Sequence, residues 1–130
     1  MAITASYAER NGSAALTKNA AAATFSVGLG DRPGEKVIIL VENNNVTAGG
    51  TATLEVVAGD YLANVYGTLS VDVAAEGATA IVGPLETVRY KNAASEVDCA
   101  VTFSSTASAT GADGPGATIN NVKVAIIKLP

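Results

Sequence analysis

Apolar and polar residues alternate along most of the chain from Thr24 onward. The clearest stretch is EVDCAVTFS at residues 96–104. One face would carry Val97, Cys99, Val101 and Phe103, and the other Glu96, Asp98, Ala100 and Thr102. Side chains alternate between the two faces of a strand, so this pattern predicts a strand with one packed face and one face in water. TLSVDVAA alternates in the same way, with Leu69, Val71 and Val73 together.

Two further segments are more continuously apolar. KVIILVEN, residues 36–43, has the length and composition of a central strand buried on both faces. VKVAIIKLP ends the chain and predicts a closing strand. Clusters of Gly, Asn, Asp and Pro separate these segments, as expected of turns. We therefore predict an all-β fold, a single β-sandwich or jelly-roll-like domain of about eight short antiparallel strands.

Residues 1–22 differ from the rest because they are polar and alanine-rich and show no sustained period of two. We expect an irregular amino-terminal arm over 1–22 that precedes the sandwich domain of 23–130. A strand around Ile3–Tyr7 is its one candidate element. A frayed terminus is the alternative interpretation.

The stretch AIVGPLETVRY, residues 80–90, predicts two short strands hinged at Gly83-Pro84. Proline cannot donate a hydrogen bond to a β-ladder, so it suits a sheet edge or a bend between sheets. On this interpretation Arg89 and Tyr90 end the second strand, where they would face a neighbouring chain.

Composition indicates a folded protein, since 48% of residues are apolar, 15% are charged and the net charge is −4. The eight cations are scattered, which argues against a nucleic-acid interface. No stretch has the length and apolarity of a membrane span. The first residues lack the basic and apolar regions of a secretory signal, so we expect synthesis in the cytoplasm of the producing cell.

Candidate catalytic chemistry is sparse. Histidine is absent, which removes the most frequent general base and metal ligand. Cys99 falls on the apolar face of its strand, so we expect a buried, inert thiol. GLGDRPGEK lacks the spacing of a phosphate-binding loop and predicts a hairpin turn at Pro33-Gly34. We predict no catalytic, cofactor-binding or metal-binding residues and no enzymatic activity.

Some alternatives stay open at this point. Glu96 and Asp98 fit a solvated strand face better than a paired-carboxylate site. A loop calcium ion held by Asp60 or Asp113 is a further alternative. Tyr61, Tyr66 and Tyr90 offer aromatic rings for a carbohydrate, although loop tyrosines more often pack with a wet hydroxyl. The Asn45-Val46-Thr47 glycosylation pattern is interpreted as accidental.

The order of these segments resembles the capsid decoration (cement) proteins of tailed bacteriophages. The resemblance covers residues 35–130 and begins with KVIILVENNNVTAGGTATLEVVAGD. AEGATAIVGPLETVRY follows, with its Gly83-Pro84-Leu85 element and a strand that ends in Tyr90. The alternating strand and the apolar stretch from Val124 to Leu129 complete it.

This resemblance implies a structural virion protein that binds the outer surface of the capsid and reinforces contacts between major capsid subunits. It implies the phage major capsid protein as partner, a homo-oligomer with a trimer favoured, and no cofactor. A tail or fibre part and a carbohydrate-binding module are the alternatives. Self-association is also suggested by the apolar carboxyl-terminal strand. The contact candidates are Tyr7, Glu9 and Arg10, chosen by their position in the arm, together with Arg89 and Tyr90.

Overall fold

The computed structural model describes residues 2–9, 12–29, 36–46, 50–61, 67–104 and 118–130. These residues contain ten strands, one short helix and one 3-10 turn. The strands are β1 (Ala2–Thr4), β2 (Ser6–Tyr7), β3 (Asn19–Ala20), β4 (Thr24–Gly28), β5 (Lys36–Asn43), β6 (Ala52–Val56), β7 (Leu69–Val73), β8 (Ala78–Glu86), β9 (Glu96–Phe103) and β10 (Val122–Leu129). Helix α1 (Thr87–Tyr90) follows β8, and the 3-10 turn (Ile119–Asn121) precedes β10. No described helix has the length and apolarity needed to cross a membrane.

The strands form two mixed sheets. Sheet A has the order β1-β4-β9-β6-β7, and sheet B has the order β2-β10-β5-β8 with β3 also paired to β10. All pairings are antiparallel except β1 with β4 and β2 with β10, which are parallel. The predicted all-β class is confirmed. The jelly-roll topology is not established by this strand order and stays a prediction.

Alternating side chains from the two sheets meet in one core. Buried positions recur at every second residue of β4, β5, β6 and β9. The inward residues of β9, Val97, Cys99 and Val101, join those of β5, Val37 and Ile39, in a single cluster. The alternation predicted for residues 96–103 and 69–73 is therefore confirmed.

The amino-terminal segment contributes to both sheets. β1 pairs with β4 at the edge of sheet A, and β2 pairs with β10 at the edge of sheet B. Ile3 and Ala5 are buried in the core, as is Ala21. The expected irregular lead-in thus contains three short strands, and its first residues bridge the two sheets on one side.

Two local predictions for the stretch 80–90 are corrected. β8 continues through Gly83 and Pro84, whose peptide bond is cis, and a register shift opposite Val37 and Ile39 absorbs the irregularity. The stretch after Glu86 is helix α1 and not a strand, so Arg89 and Tyr90 do not end a strand. The placement of proline at a sheet edge is confirmed, because β8 is the last strand of sheet B.

The apolar character of the carboxyl-terminal strand is explained by its position within sheet B. β10 lies between β2 and β5 and pairs with β5 along its whole length. Its buried residues Val122, Val124 and Ile126 face the core. The apolar character of this strand therefore follows from its inner position, and it does not by itself call for a second chain.

Candidate functional site

The outward side of sheet B carries aliphatic side chains on its central strands. In β5 the odd-numbered residues are buried, which turns Ile38 and Leu40 outward. Cross-strand pairing places Ile127 beside Ile38, and Ala125 and Ile81 beside Leu40. We call this surface the aliphatic face: Ile38, Leu40, Ile81, Ala125, Ile127 and Leu129. Ile81 is its most exposed member, with 68% of its surface accessible.

The outward side of sheet A is different. Its outward residues are Thr24, Ser26, Gly28, Thr53, Glu55, Ser70, Asp72, Glu96, Asp98, Ala100 and Thr102. We call this surface the acidic face, because it holds four carboxylates and no lysine or arginine among these residues. Asp72 accepts a hydrogen bond from Thr53 Oγ1 at 2.7 Å, and Asp98 accepts one from Asn92 Nδ2 at 2.9 Å. Glu96 and Asp98 thus lie on a polar strand face, as predicted.

A segment of the arm lies against part of the aliphatic face. Residues 12–18 form no strand or helix, and we call them the strap. Leu16 and Lys18 line a small cavity of about 130 Å³ together with Leu40 and Ala125. Lys18 Nζ lies 2.6 Å from Glu42 Oε2. This hydrogen bond from Lys18, helped by the lysine charge, lowers the pKa of Glu42. Such an exposed ion pair holds the strap only weakly.

Arg89 and Tyr90 lie at the far end of β8 beside a second cavity. This end pocket has a volume of about 290 Å³ and is lined by Lys36, Pro84, Leu85, Glu86, Arg89 and Tyr90. Arg89 Nε lies 2.6 Å from Glu86 Oε2, one helical turn earlier. Tyr90 also packs against the core, so its ring is only partly available. The pocket therefore presents two cations and one carboxylate at the margin of sheet B.

Gly59 holds α1 against the loop that follows β6. The Gly59 amide donates to the Arg89 carbonyl at 3.1 Å, and the Asp60 amide donates to the Lys91 carbonyl at 3.1 Å. A Cβ atom on Gly59 would lie 2.5 Å from the Lys91 oxygen, so only glycine permits this approach. The position of Arg89 and Tyr90 thus depends on backbone contacts outside their own helix.

Tyr7 lies at the same end of sheet B as the end pocket. Register places Tyr7, Lys128, Val37 and Leu85 in one cross-strand row. Three strand spacings separate Tyr7 from Leu85, roughly 14 Å. Glu9 follows β2 and is exposed, and Arg10 lies outside the described residues. The structure thus brings Tyr7, Arg89 and Tyr90 to one end of sheet B, although they are far apart in sequence.

Lys128 belongs to this row, and its burial was not predicted from the sequence. It occupies an inward position of β10, is 6% exposed, and donates from Nζ to the carbonyl oxygen of Leu29. A buried ammonium requires hydrogen-bond acceptors. The spacing of residues in β10 could have predicted this burial, because Lys128 continues the inward-facing series of Val122, Val124 and Ile126.

Buried asparagines join the loops at the opposite end of sheet B. Asn43 Nδ2 donates to the carbonyls of Gly50 and Val73, and Asn43 Oδ1 accepts from Asn45 Nδ2 at 3.0 Å. Asn45 Oδ1 accepts from the Thr118 amide at 2.7 Å. Asn45 is 1% exposed, so its side chain is not available for glycosylation and that sequence match is accidental.

Among the described residues, the remaining chemical candidates do not assemble into a site. Burial, together with the nearby Asp98 charge, raises the pKa of Cys99 to about 12, which suits an inert thiol. Asp60 Oδ2 accepts from the Ala93 amide, and Lys91 Nζ lies 5.2 Å from the centre of the Tyr61 ring. Within the described ranges no three acidic or sulfur ligands lie close enough to hold a metal. Tyr66, Asp113 and the turn at Pro33-Gly34 lie outside the described residues.

Comparison with models of protein families, with curated proteins and with solved structures finds no match for this chain.

Proposed function

We propose that this chain is a non-enzymatic structural protein that binds the outer surface of a bacteriophage capsid and stabilises contacts between major capsid subunits. The supporting observation is the difference between the two outer surfaces of the sandwich. Sheets that face water on one side alternate apolar and polar residues. Sheet A follows this rule, whereas the middle of β5 and the second half of β10 carry aliphatic residues on both sides. The outward charges of these two strands, Lys36, Glu42 and Lys123, lie towards the strand ends.

The part of the aliphatic face that the strap leaves open is therefore the surface that docks on the shell, namely Ile38, Ile81, Ile127 and Leu129. Leu40 and Ala125 lie beside the strap, and Ala125 is buried. Burying aliphatic side chains contributes about 25 cal/mol per Å² of apolar area removed from water. The acidic face remains in water, where its four carboxylates keep their hydration.

Tyr7, Arg89 and Tyr90 lie at one end of sheet B, and with Glu9 they are the proposed partner-binding residues at the margin of the contact. Tyr7 shares the row of inward-facing Val37 and Lys128, so it would contact the partner from the sheet edge.

Stabilisation follows from the number of copies. A protein that binds only the assembled shell shifts the equilibrium towards assembly. Each copy that spans neighbouring subunits adds a modest free energy, and the sum over a shell is large. Neither step requires a cofactor or a reaction.

The binding test uses empty shells assembled from the major capsid protein encoded in the same genome. Purified chain is mixed with these shells, and the bound copies are counted after sedimentation. We expect saturable binding in a fixed ratio to capsid subunits. No sedimentation of the chain with shells at any concentration or salt would refute the proposal.

Matched variants locate the surface. Ile38→Lys places a charge on the aliphatic face and is expected to abolish binding, because the ammonium would be buried in the contact. Thr102→Lys makes the same addition at an exposed position of the acidic face, near the end of β9, and is expected to bind as the original chain does. Melting temperatures measured beforehand select variants that are folded. Equal binding by both variants would exclude the aliphatic face as the contact.

A further inference from the structure

β8 is the most extensive edge strand in the described part of the chain. It has nine residues, and its only strand partner among them is β5. The other sheet edges are shorter, with five residues in β7, three in β1 and two in β2. A long edge presents unpaired backbone amides and carbonyls that can template another strand.

The first part of β8 lacks the charges that protect many sheet edges. Charged side chains commonly prevent edge pairing, yet no charge occurs between Ala78 and Leu85. β7, in contrast, carries Asp72 near its centre. Gly83 and Pro84 interrupt regular pairing at the far end of β8, because proline cannot donate to a ladder. The part competent to pair is therefore Ala78–Val82.

We propose that two copies of this chain associate through Ala78–Val82, as antiparallel strands related by a two-fold axis at Ala80. In this register Ala80 lies opposite its counterpart, and Thr79 lies opposite Ile81 of the other copy. The two B sheets become one continuous sheet, which joins the two aliphatic faces on one side.

The sequence of Ala78–Val82 is compatible with pairing to itself, so we take the partner strand to be the same segment of a second copy. A two-fold contact requires each residue to tolerate its symmetry partner. In this register Ala80 faces its counterpart, Ala78 faces Val82 and Thr79 faces Ile81, so no like charges meet. The exposed Ile81 side chain would then pack against Thr79, a favourable pair of β-branched residues.

The inference concerns the free chain and does not depend on shell binding. A pairing of five residues is short, so we expect a concentration-dependent dimer rather than a permanent one. The three-fold association implied by the resemblance is the competing outcome. Light scattering on the purified chain separates them, since a dimer has twice the 12.9 kDa of the monomer.

Cysteine cross-linking tests the register. Residues directly opposite in an antiparallel pair have Cα atoms about 4.5–5.5 Å apart, within the range of a disulfide. An equimolar mixture of Thr79→Cys and Ile81→Cys chains is therefore expected to form disulfide-linked dimers under mild oxidation. Each variant alone is expected to stay unlinked, because its own cysteines would lie about 8 Å apart. The native Cys99 is buried and does not compete.

Ser70→Cys alone is the control on the β7 edge, because it leaves the Asp72 charge in place, and it is expected to remain monomeric. Ile81→Lys adds a charge to the β8 edge. This variant is expected to remain folded and to show no dimer by light scattering. A monomer at all concentrations, a trimer, or linking of either β8 variant by itself would overturn the proposal. These results do not bear on shell binding, which the Ile38→Lys variant tests separately.

Discussion

Gly83 is the residue whose identity the backbone constrains most clearly. It has a φ of +114°, and a Cβ atom there would lie 2.7 Å from the Val37 carbonyl oxygen and 2.7 Å from the Leu85 nitrogen. Side chains rarely adopt this φ. Gly83→Ala is therefore expected to lower the free energy of unfolding by about 1–3 kcal/mol, measured by urea denaturation.

Gly28→Ala is the matched control, since Gly28 also lies in a strand and has no atom within 4 Å of its added Cβ. We expect a small change in either direction for this variant. An equal loss of stability in both variants would show that the constraint at Gly83 is not local.

Cys99 should behave as an apolar core residue. Its pKa is raised to about 12 by burial, so the thiolate is scarce at pH 8. We expect slow alkylation by iodoacetamide in the native chain and rapid alkylation in urea, measured by mass spectrometry. Burial of the protonated thiol contributes fully to the free energy of unfolding below the ordinary cysteine pKa of 9.0. This contribution is lost as the pH rises towards 12, because the unfolded chain then releases the proton more readily than the folded one. Fast native alkylation at pH 8 would contradict the described burial.

At the scale of elements, the first strands are expected to be required for folding. Deletion of residues 1–8 removes the pairings of β1 and β2 and exposes the space occupied by Ile3 and Ala5. Burial of an isoleucine side chain alone is worth about 1.5–3 kcal/mol. We therefore expect a much lower melting temperature or loss of cooperative unfolding.

The strap supplies the control for this deletion. Leu16→Ser with Lys18→Ser removes its cavity contact and its ion pair, both of which involve exposed side chains. We expect the fold to persist with little change in melting temperature. If the deletion melts like the original chain and the strap variant does not, the roles assigned to these segments are reversed.

The sequence predicted β7 and β9 because apolar and polar residues alternate over five or more positions, and it predicted β5 and β10 from continuous apolar runs. A strand around Ile3–Tyr7 was predicted as one candidate element, and the structure divides it into β1 and β2. β3 was not predicted, because two residues show no period. Helix α1 is a single turn, so its four residues carry no helical repeat either. The end of sheet B shared by Tyr7, Arg89 and Tyr90 depends on cross-strand register, which no local pattern contains. The acceptors of Lys128 and Asn43 likewise lie on segments that meet only in the fold, although the phase of β10 indicates that Lys128 points inward.

At the scale of the whole molecule, the two outer faces of the sandwich differ in chemistry, so we expect them to face different surroundings. Under the proposed function, the acidic face stays in water and the aliphatic face contacts the partner. A β8-mediated dimer would present both aliphatic faces on one side of a continuous sheet. Binding to a shell would then engage two faces at once, which raises the apparent affinity without new contacts.

The melting temperature of empty shells with and without saturating chain tests the central claim most directly. Because the chain is proposed to bind the assembled shell across subunit contacts, we expect it to raise the temperature of shell disruption. The increase should disappear with Ile38→Lys and persist with Thr102→Lys. An unchanged shell melting temperature, measured with the original chain bound at saturation, would contradict the proposed stabilisation.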